Sequence, residues 1–254
     1  MTNRYFADKP LPETPEPDQT TVLAGPEAHH VIHVMRAAPG DRAVLFDGSG
    51  AEFPAEVVRV GRADVELKIT AREEIDRELP IDITLGVAMP KGDRRRWLVE
   101  KATELGLRRI VPLRTKRSVA QPGKQAIGRL RRTVIEASKQ CGRNRLMEIA
   151  GLQDWAEFVA GANDAACRLL AHPCGDAGTI MAALAGSLQQ IVLAVGPEGG
   201  LTDDEVSLAT GAGWQPVDLG ERTLRVETAA ICLAVVAATL VGWDKERSDA
   251  GPPM

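Results

Sequence analysis

Most signatures that announce a familiar catalytic class are missing from this chain. Nowhere does G-x-x-x-x-G-K-[ST] occur, and no G-x-G-x-x-G follows a strand-like run, which argues against P-loop hydrolysis and an ordinary dinucleotide fold. No Ser-His-Asp arrangement is suggested. The four cysteines, Cys141, Cys167, Cys174 and Cys232, form no C-x-x-C pair and no evenly spaced framework. With no secretory leader at the N-terminus, the expected setting is a reducing cytoplasm. The longest apolar run, Thr228 to Trp243, falls short of a membrane span and reads as a buried helix, so no membrane association is expected. No internal repeat is visible.

What is present is charge of one sign in one place. The net charge of the chain is only −4, but between Lys91 and Arg145 there are 17 Lys or Arg against four acids (Asp93, Glu100, Glu104 and Glu136). A local excess of 13 positive charges inside an acidic protein argues for a localised anionic partner. So many of these cations are arginines, suited to phosphate, that nucleic acid is the expected partner. The alternative is a solvated surface neutralised by acids folded over it.

The chain changes texture near residue 80. From Val22 to Thr70, short strand-like runs (Ala43 to Phe46, Ala55 to Val60, and the alternating Val65, Leu67 and Ile69) are separated by the turn signals Pro39-Gly40-Asp41 and Asp47-Gly48-Ser49-Gly50. They predict a small β-barrel over residues 1–72, with one short helix over Glu27 to Arg36. The charged stretch 73–80 has no apolar period, ends in proline and is read as a linker. After it come Ile81 to Met89 as a strand and a helix with Asp93 at its N-cap and Gly106 beyond its end. In that helix Trp97, Leu98, Ala102 and Leu105 form the inner face. Arg109 to Leu113 is the next strand. A second helix follows, with Ile127, Leu130, Val134, Ala137 and Cys141 inward and Arg129, Arg132, Glu136 and Lys139 outward. Further strands are Arg168 to Ala171, Ile191 to Val195 and Gln215 to Leu219. Strands alternating with helices over 81–245 predict an α/β domain with an open parallel sheet covered on both faces. Residues 246–254 read as a loose tail.

In such a sheet, ligands bind beyond the carboxyl ends of the strands. Three strand ends carry unusual residues: Leu169-Leu170-Ala171-His172-Pro173, Val195-Gly196-Pro197-Glu198-Gly199-Gly200, and Leu219-Gly220-Glu221-Arg222-Thr223-Leu224-Arg225. The second is the most informative. Its glycines permit positive φ and close ligand approach, and Thr202 with Glu205 forms a capping-box pattern opening a helix. A tight turn needing glycine only for geometry explains it equally well. His29 and His33 have i, i+4 spacing that could face a metal, but no base lies between them and no third ligand is evident, so no metal is expected.

Taken together, these segments resemble the ribosomal RNA small subunit methyltransferase E family. The likeness runs nearly the whole chain in family order. It starts with Arg4-Tyr5-Phe6, His29-His30, Val34-Met35-Arg36, Gly40-Asp41 and Phe46-Asp47-Gly48. It continues with Lys91-Gly92-Asp93, Glu100 to Gly106, Pro112, Arg117-Ser118, Glu136-Ala137, Gln140 and Gly142-Arg143. It ends with Gly196-Pro197-Glu198-Gly199-Gly200, Leu219-Gly220, Leu224-Arg225 and Glu227-Thr228-Ala229. Val226 departs from a common threonine, Cys174 from a common acid and Cys141 from a common serine.

The resemblance implies an N-terminal PUA-like barrel, a C-terminal SPOUT domain with a parallel sheet and deep trefoil knot, and a homodimer in which the helix from Thr228 is a candidate interface. It implies methylation of N3 of a specific uridine in 16S rRNA of the small ribosomal subunit, with S-adenosylmethionine as donor. The donor would lie among Leu170, His172, Gly196, Pro197, Gly199, Gly200, Leu219, Gly220, Arg222 and Leu224. Arg225 would stabilise charge developing on the uracil oxygens, with Glu198 or Glu227 as base or as a group orienting Arg225. Arg4, His30 and Arg36 would help place the uridine, while Lys91, Arg94, Lys101, Arg117 and Arg143 would grip RNA. Three rival readings remain at this point: a related enzyme acting on another RNA position, a non-catalytic RNA-binding assembly factor and, more distantly, a metal-dependent hydrolase using the histidine cluster.

Overall fold

The computed structural model describes residues 3–16, 18–119, 122–162, 166–173, 180–184 and 190–249, with backbone alone at 124 and 242–249. The chain forms two compact units, residues 1–78 with 138–146 and residues 79–137 with 147–254.

In the first unit, β1 (Asn3–Phe6), β2 (Thr20–Ala24), β3 (Arg42–Phe46), β4 (Phe53–Val60) and β5 (Asp64–Ile69) form a five-stranded sheet in the order β1-β3-β4-β5-β2. Alternation explains the strands: Val65, Leu67 and Ile69 are buried on one face of β5, as are Phe53, Ala55 and Val57 on β4. A register shift between Val57 and Arg59 curves the β4–β5 pair. The first strand, β1, lies parallel to β3, Asn3 opposite Ala43. Tyr5, Leu23, Leu45, Phe53 and Leu67 share one core with Ala28 and Val31. The latter two come from α1 (Gly25–His29) and the π-helical turn His30–Val34 that continues it. The single short helix expected over Glu27 to Arg36 is thus α-helical only to His29, and Arg36 lies outside it with φ of +52°.

A buried ion cluster ties this unit together. Glu52 accepts Arg4 Nη1 at 2.6 Å and Arg77 Nη1 at 2.9 Å, and Arg4 Nη2 reaches Asn144 Oδ1 at 2.5 Å. Burial alone would raise the Glu52 carboxyl, but the two arginines overcome it and hold Glu52 below the usual glutamate range. Lys139 Nζ pairs with Glu27 Oε1 at 3.1 Å, both side chains being nearly buried.

In the second unit, β6 (Asp82–Val87), β7 (Arg109–Arg114), β8 (Glu148–Ile149), β9 (Gln153–Asp154), β10 (Cys167–Ala171), β11 (Gln190–Val195) and β12 (Gln215–Val217) are all parallel. Their order is β12-β10-β11-β6-β7-β8, with β9 also on β7. The helices are α2 (Asp93–Glu104), α3 (Lys124–Cys141, whose last four residues belong to the first unit), α4 (Trp155–Ala160), α5 (Ile180–Ala183), α6 (Asp203–Gly211) and α7 (Val226–Asp249). The central strands are near-continuous apolar runs buried on both faces, Ile191 to Val195 being the clearest. Close packing dictates one glycine here: a Cβ on Gly86 of β6 would meet the Phe158 ring of α4 at 2.3 Å.

Several details differ from the sequence reading. Gly92, at φ of +62°, is the N-cap of α2, and Asp93 is the first helical residue. Trp97 is 43% exposed because the inner face of α2 is narrower, formed by Leu98, Val99 and Ala102. Lys139 points inward to Glu27 rather than outward. The strand expected to reach Leu219 stops at Val217. On α7, Ala230, Leu233, Ala234, Ala237 and Val241 are buried while Thr228, Cys232, Val235 and Thr239 are exposed, so the helix is two-faced. The helix extends to Asp249, so the first four residues read as a tail are helical; 250–254 and Cys174 lie outside the described residues. The strands β1, β2, β8 and β9 and helices α4 and α5 had no expectation.

Candidate functional site

The carboxyl ends of β10, β11 and β12 stand side by side, because β10 pairs with both neighbours. Turns leaving these three ends, closed by the first turn of α7, enclose a cavity of about 340 Å³. Ala171, His172 and Pro173 come from the first end. Val195, Gly196, Pro197, Glu198, Gly200 and Leu201 come from the second. Asp218 to Leu224 come from the third, and Val226 and Ala229 from α7.

The turn after β11 is braced from outside. Gly200 adopts φ of +69°, and a Cβ on Gly196 would crowd Leu201 Cγ at 2.9 Å. Arg117 Nη1 donates to Gly199 O at 2.9 Å. The capping box is present: Thr202 Oγ1 accepts from Glu205 N, and Glu205 Oε2 accepts from Thr202 N at 2.9 Å. The other oxygen of that buried carboxylate accepts from Lys116 N at 2.7 Å, and Trp155 Nε1 donates to Glu205 O at 2.9 Å. By contrast, the turn after β12 carries one internal side-chain bond, Gly220 N to Asp218 Oδ1 at 2.8 Å, with Gly220 at φ of +106°.

Of the residues expected at the donor, His172, Gly196, Pro197, Gly200, Leu219, Gly220, Arg222 and Leu224 line the cavity. Gly199 stands beside it with its carbonyl held by Arg117. Leu170 does not line it: fully buried, it packs with Val111, Leu113 and Trp214 in the core. Both faces of β10 are covered, so no alternation along it distinguishes which leucine faces the cavity. Leu201, Asp218, Val226 and Ala229 line the cavity outside the three strand-end segments; Val226 and Ala229 become visible only once α7 is known to close it.

Three residues carry possible chemistry. Glu198 is exposed on the cavity wall. Arg225 is exposed between the lining residues Leu224 and Val226, and its carbonyl accepts Ala229 N–H at 2.9 Å as α7 begins. Glu227 is different: its side chain is 9% exposed, Oε1 lies 3.7 Å from Arg94 Nε, and buried Oε2 has no hydrogen-bond partner among the described residues.

The cations sort into two classes. Arg4 and Arg143, expected to grip RNA, are interior: Arg4 holds Glu52 and Asn144, and Arg143, 3% exposed, is forked onto Glu78. A buried arginine already paired with a carboxylate is structural. Lys101 is engaged by Glu100 and Glu104, and Arg117 braces the glycine turn. His30 packs edge-on to Tyr5 with centroids 5.9 Å apart. Lys91 and Arg36 are exposed, and Arg94 is half-exposed. Also exposed, with no ion pair among the described residues, are Arg96, Arg108, Arg129, Arg131 and Arg132, which the sequence reading did not single out as contacts. Among the described residues no group of three or more His, Cys, Asp or Glu could hold a metal. No helix among them is long and apolar enough to cross a membrane.

Residues 77–238 match the model of a family described as an RNA methyltransferase domain, and residues 23–70 match an RNA methyltransferase PUA domain. The ribosomal RNA small subunit methyltransferase E of Synechocystis sp. is 35% identical, over 88% of this chain and 74% of its own length. Its counterpart in Bacillus subtilis is 30% identical, over 90% and 93%. A solved structure of the ribosomal RNA small subunit methyltransferase E from Neisseria gonorrhoeae, bound to S-adenosyl methionine, is 29% identical. It superposes with a TM-score of 0.85, over 94% of this chain and 98% of that one.

Proposed function

Because the chain belongs to the ribosomal RNA small subunit methyltransferase E family, we propose that it methylates N3 of a specific uridine in 16S rRNA of the small ribosomal subunit, with S-adenosylmethionine as donor. The carrying observation is the cavity at the carboxyl ends of three adjacent parallel strands. It suits such a donor in size and chemistry. Its volume falls at the lower end of the range for small-molecule sites, about 300–1,000 Å³. Leu219, Leu224, Val226 and Ala229 offer apolar surface to a purine, and the turns at Gly196, Gly200 and Gly220 let backbone polar groups come close.

When bound, the donor supplies an electrophilic sulfonium methyl. The chain's own part is to hold the acceptor and move its proton. Arg225, exposed at the cavity's edge, stabilises negative charge on the uracil oxygens as N3 is deprotonated. Glu198, on the cavity wall, receives that proton. Glu227 is interior and faces Arg94, so it orients the first turn of α7 that carries Arg225. The unpaired cations Lys91, Arg96, Arg129, Arg131 and Arg132 contact phosphates, which makes binding steeply salt-dependent. In the same reading, residues 1–72 form a PUA-like RNA-placing domain, 73–80 a linker and 81–245 a knotted SPOUT domain. The chain works as a cytoplasmic homodimer, with the exposed face of α7 at the interface.

The test is methyl transfer from labelled donor to small subunits lacking the modification, followed by nucleoside analysis. The expected product is 3-methyluridine. A different methylated nucleoside would overturn the position, and intact donor binding without incorporation would overturn the substrate.

A further inference from the structure

The first unit contains a cavity of its own, about 220 Å³, between the π-helical turn and the sheet. Val31, Ala37, Ala43 and Val57 line it, while Asn3, Asp41 and Arg42 bring an amide, a carboxylate and a guanidinium to it. Tyr5 also lines it, and its hydroxyl has no hydrogen-bond partner among the described residues. Burial, with Glu27 and Asp41 nearby, pushes the Tyr5 phenol up to about 12, so that hydroxyl is a donor at any ordinary pH.

Two backbone irregularities adjoin this cavity. The π-helical turn His30–Val34 leads directly into the lining residue Met35, and such turns concentrate at functional sites. Arg36, between the lining residues Met35 and Ala37, is held at φ of +52°, a region that side-chain-bearing residues avoid. Hydrogen bonds from Met35 N to His30 O (3.0 Å) and Ala37 N to Val31 O (3.1 Å) fix it there. The Arg36 side chain is exposed and has no ion pair among the described residues. Strain held at a cavity's edge by a cation with no ion pair among the described residues is a reason to look for a ligand.

We infer that this cavity receives an unpaired base of the RNA substrate, with Arg36 and Arg42 meeting its flanking phosphates. The inference rests on the activity proposed above. A base needs donors and acceptors around its edge, apolar surface on its faces and cations beside its backbone. The cavity offers each: Tyr5 and Asn3 as donors, Asn3 and Asp41 as acceptors, the 40%-exposed Met35 as a face, and two exposed arginines. This base is distinct from the uridine whose methylation requires the strand-end cavity of the other unit.

Two variants of the full chain test it, each assayed for melting temperature, donor affinity, binding of unmodified small subunits and methyl transfer. Arg36→Gly should melt at the same or a higher temperature, because glycine accepts this φ, yet bind small subunits about fivefold more weakly, with a salt slope shallower by about one phosphate contact. Ala37→Met, which fills the cavity, should weaken binding about tenfold with the salt slope unchanged. In both, donor affinity should hold. A stabilised Arg36→Gly protein that binds normally would overturn the proposal, as would normal binding by folded Ala37→Met. Weakened binding on filling the cavity, in a protein whose wild type transfers no methyl group, would support the pocket while overturning the activity.

Discussion

Two walls of the strand-end cavity are built on opposite principles. The turn after β11 is held from outside by Arg117, by the Glu205 carboxylate that serves Thr202 and Lys116 together, and by the Trp155 indole behind it. The turn after β12 has one side-chain bond of its own, from Gly220 to Asp218, and residues 220–223 are exposed. Bracing of this kind is expected to hold a wall's shape whether or not a ligand is present. The unbraced wall leads directly to Arg225, so the residue assigned to the chemistry sits where donor binding can order it. Local stability should therefore differ within one cavity and, if Arg225 acts as proposed, reaction geometry is completed on the weaker side.

Breaking the unbraced wall at its chemical end should have the largest effect. Arg225→Ala should lower kcat about 10²–10³-fold with donor affinity within about threefold of normal; stopped assays with small subunits, together with donor calorimetry, check both. Normal turnover would remove Arg225 from the mechanism. The braced wall should fail differently. Glu205→Ala deletes the acceptor for Thr202 and Lys116 and should cost about 2 kcal/mol, a fall in Tm of about 4–8 °C for a unit of this size. Glu205→Gln should recover part of that, because an amide still caps. Arg117→Ala should leave Tm nearly unchanged and weaken donor binding about fivefold, the share of one exposed hydrogen bond worth about 1 kcal/mol. Asp218→Ala should change donor affinity by less than about threefold. A direct test of the comparison is amide exchange with and without donor. Residues 218–225 should gain protection and 196–202 should change little, and equal gains would erase the distinction.

The sequence made the turns that line the strand-end cavity legible for a physical reason: they follow apolar runs in an alternating β/α pattern, and Thr202-x-x-Glu205 is a local signal that needs no tertiary knowledge. The brace was not legible, because Arg117 and Gly199 are brought together only by the order of the sheet. Leu170 went astray because a strand covered on both faces carries no alternation to show which side a residue faces. Arg4 and Arg143 looked like phosphate ligands, since an arginine reads the same whether it meets solvent or a buried glutamate; Glu52 and Glu78 decided it. Alternation found β5 readily, but the brief β8 and β9 lie below what periodicity can detect.

The strand order also sets a timetable. β6 and β11 are neighbours along their whole length, Asp82 beside Gln190 and Val87 beside Val195. During synthesis, the apolar edge of β6 must therefore wait while more than half of its unit is made before its partner exists. Such non-local pairing makes folding slow and leaves an adhesive edge uncovered in the interval. The first unit has its strands β1 to β5 within the first 69 residues, so its sheet can close while the second is still incomplete.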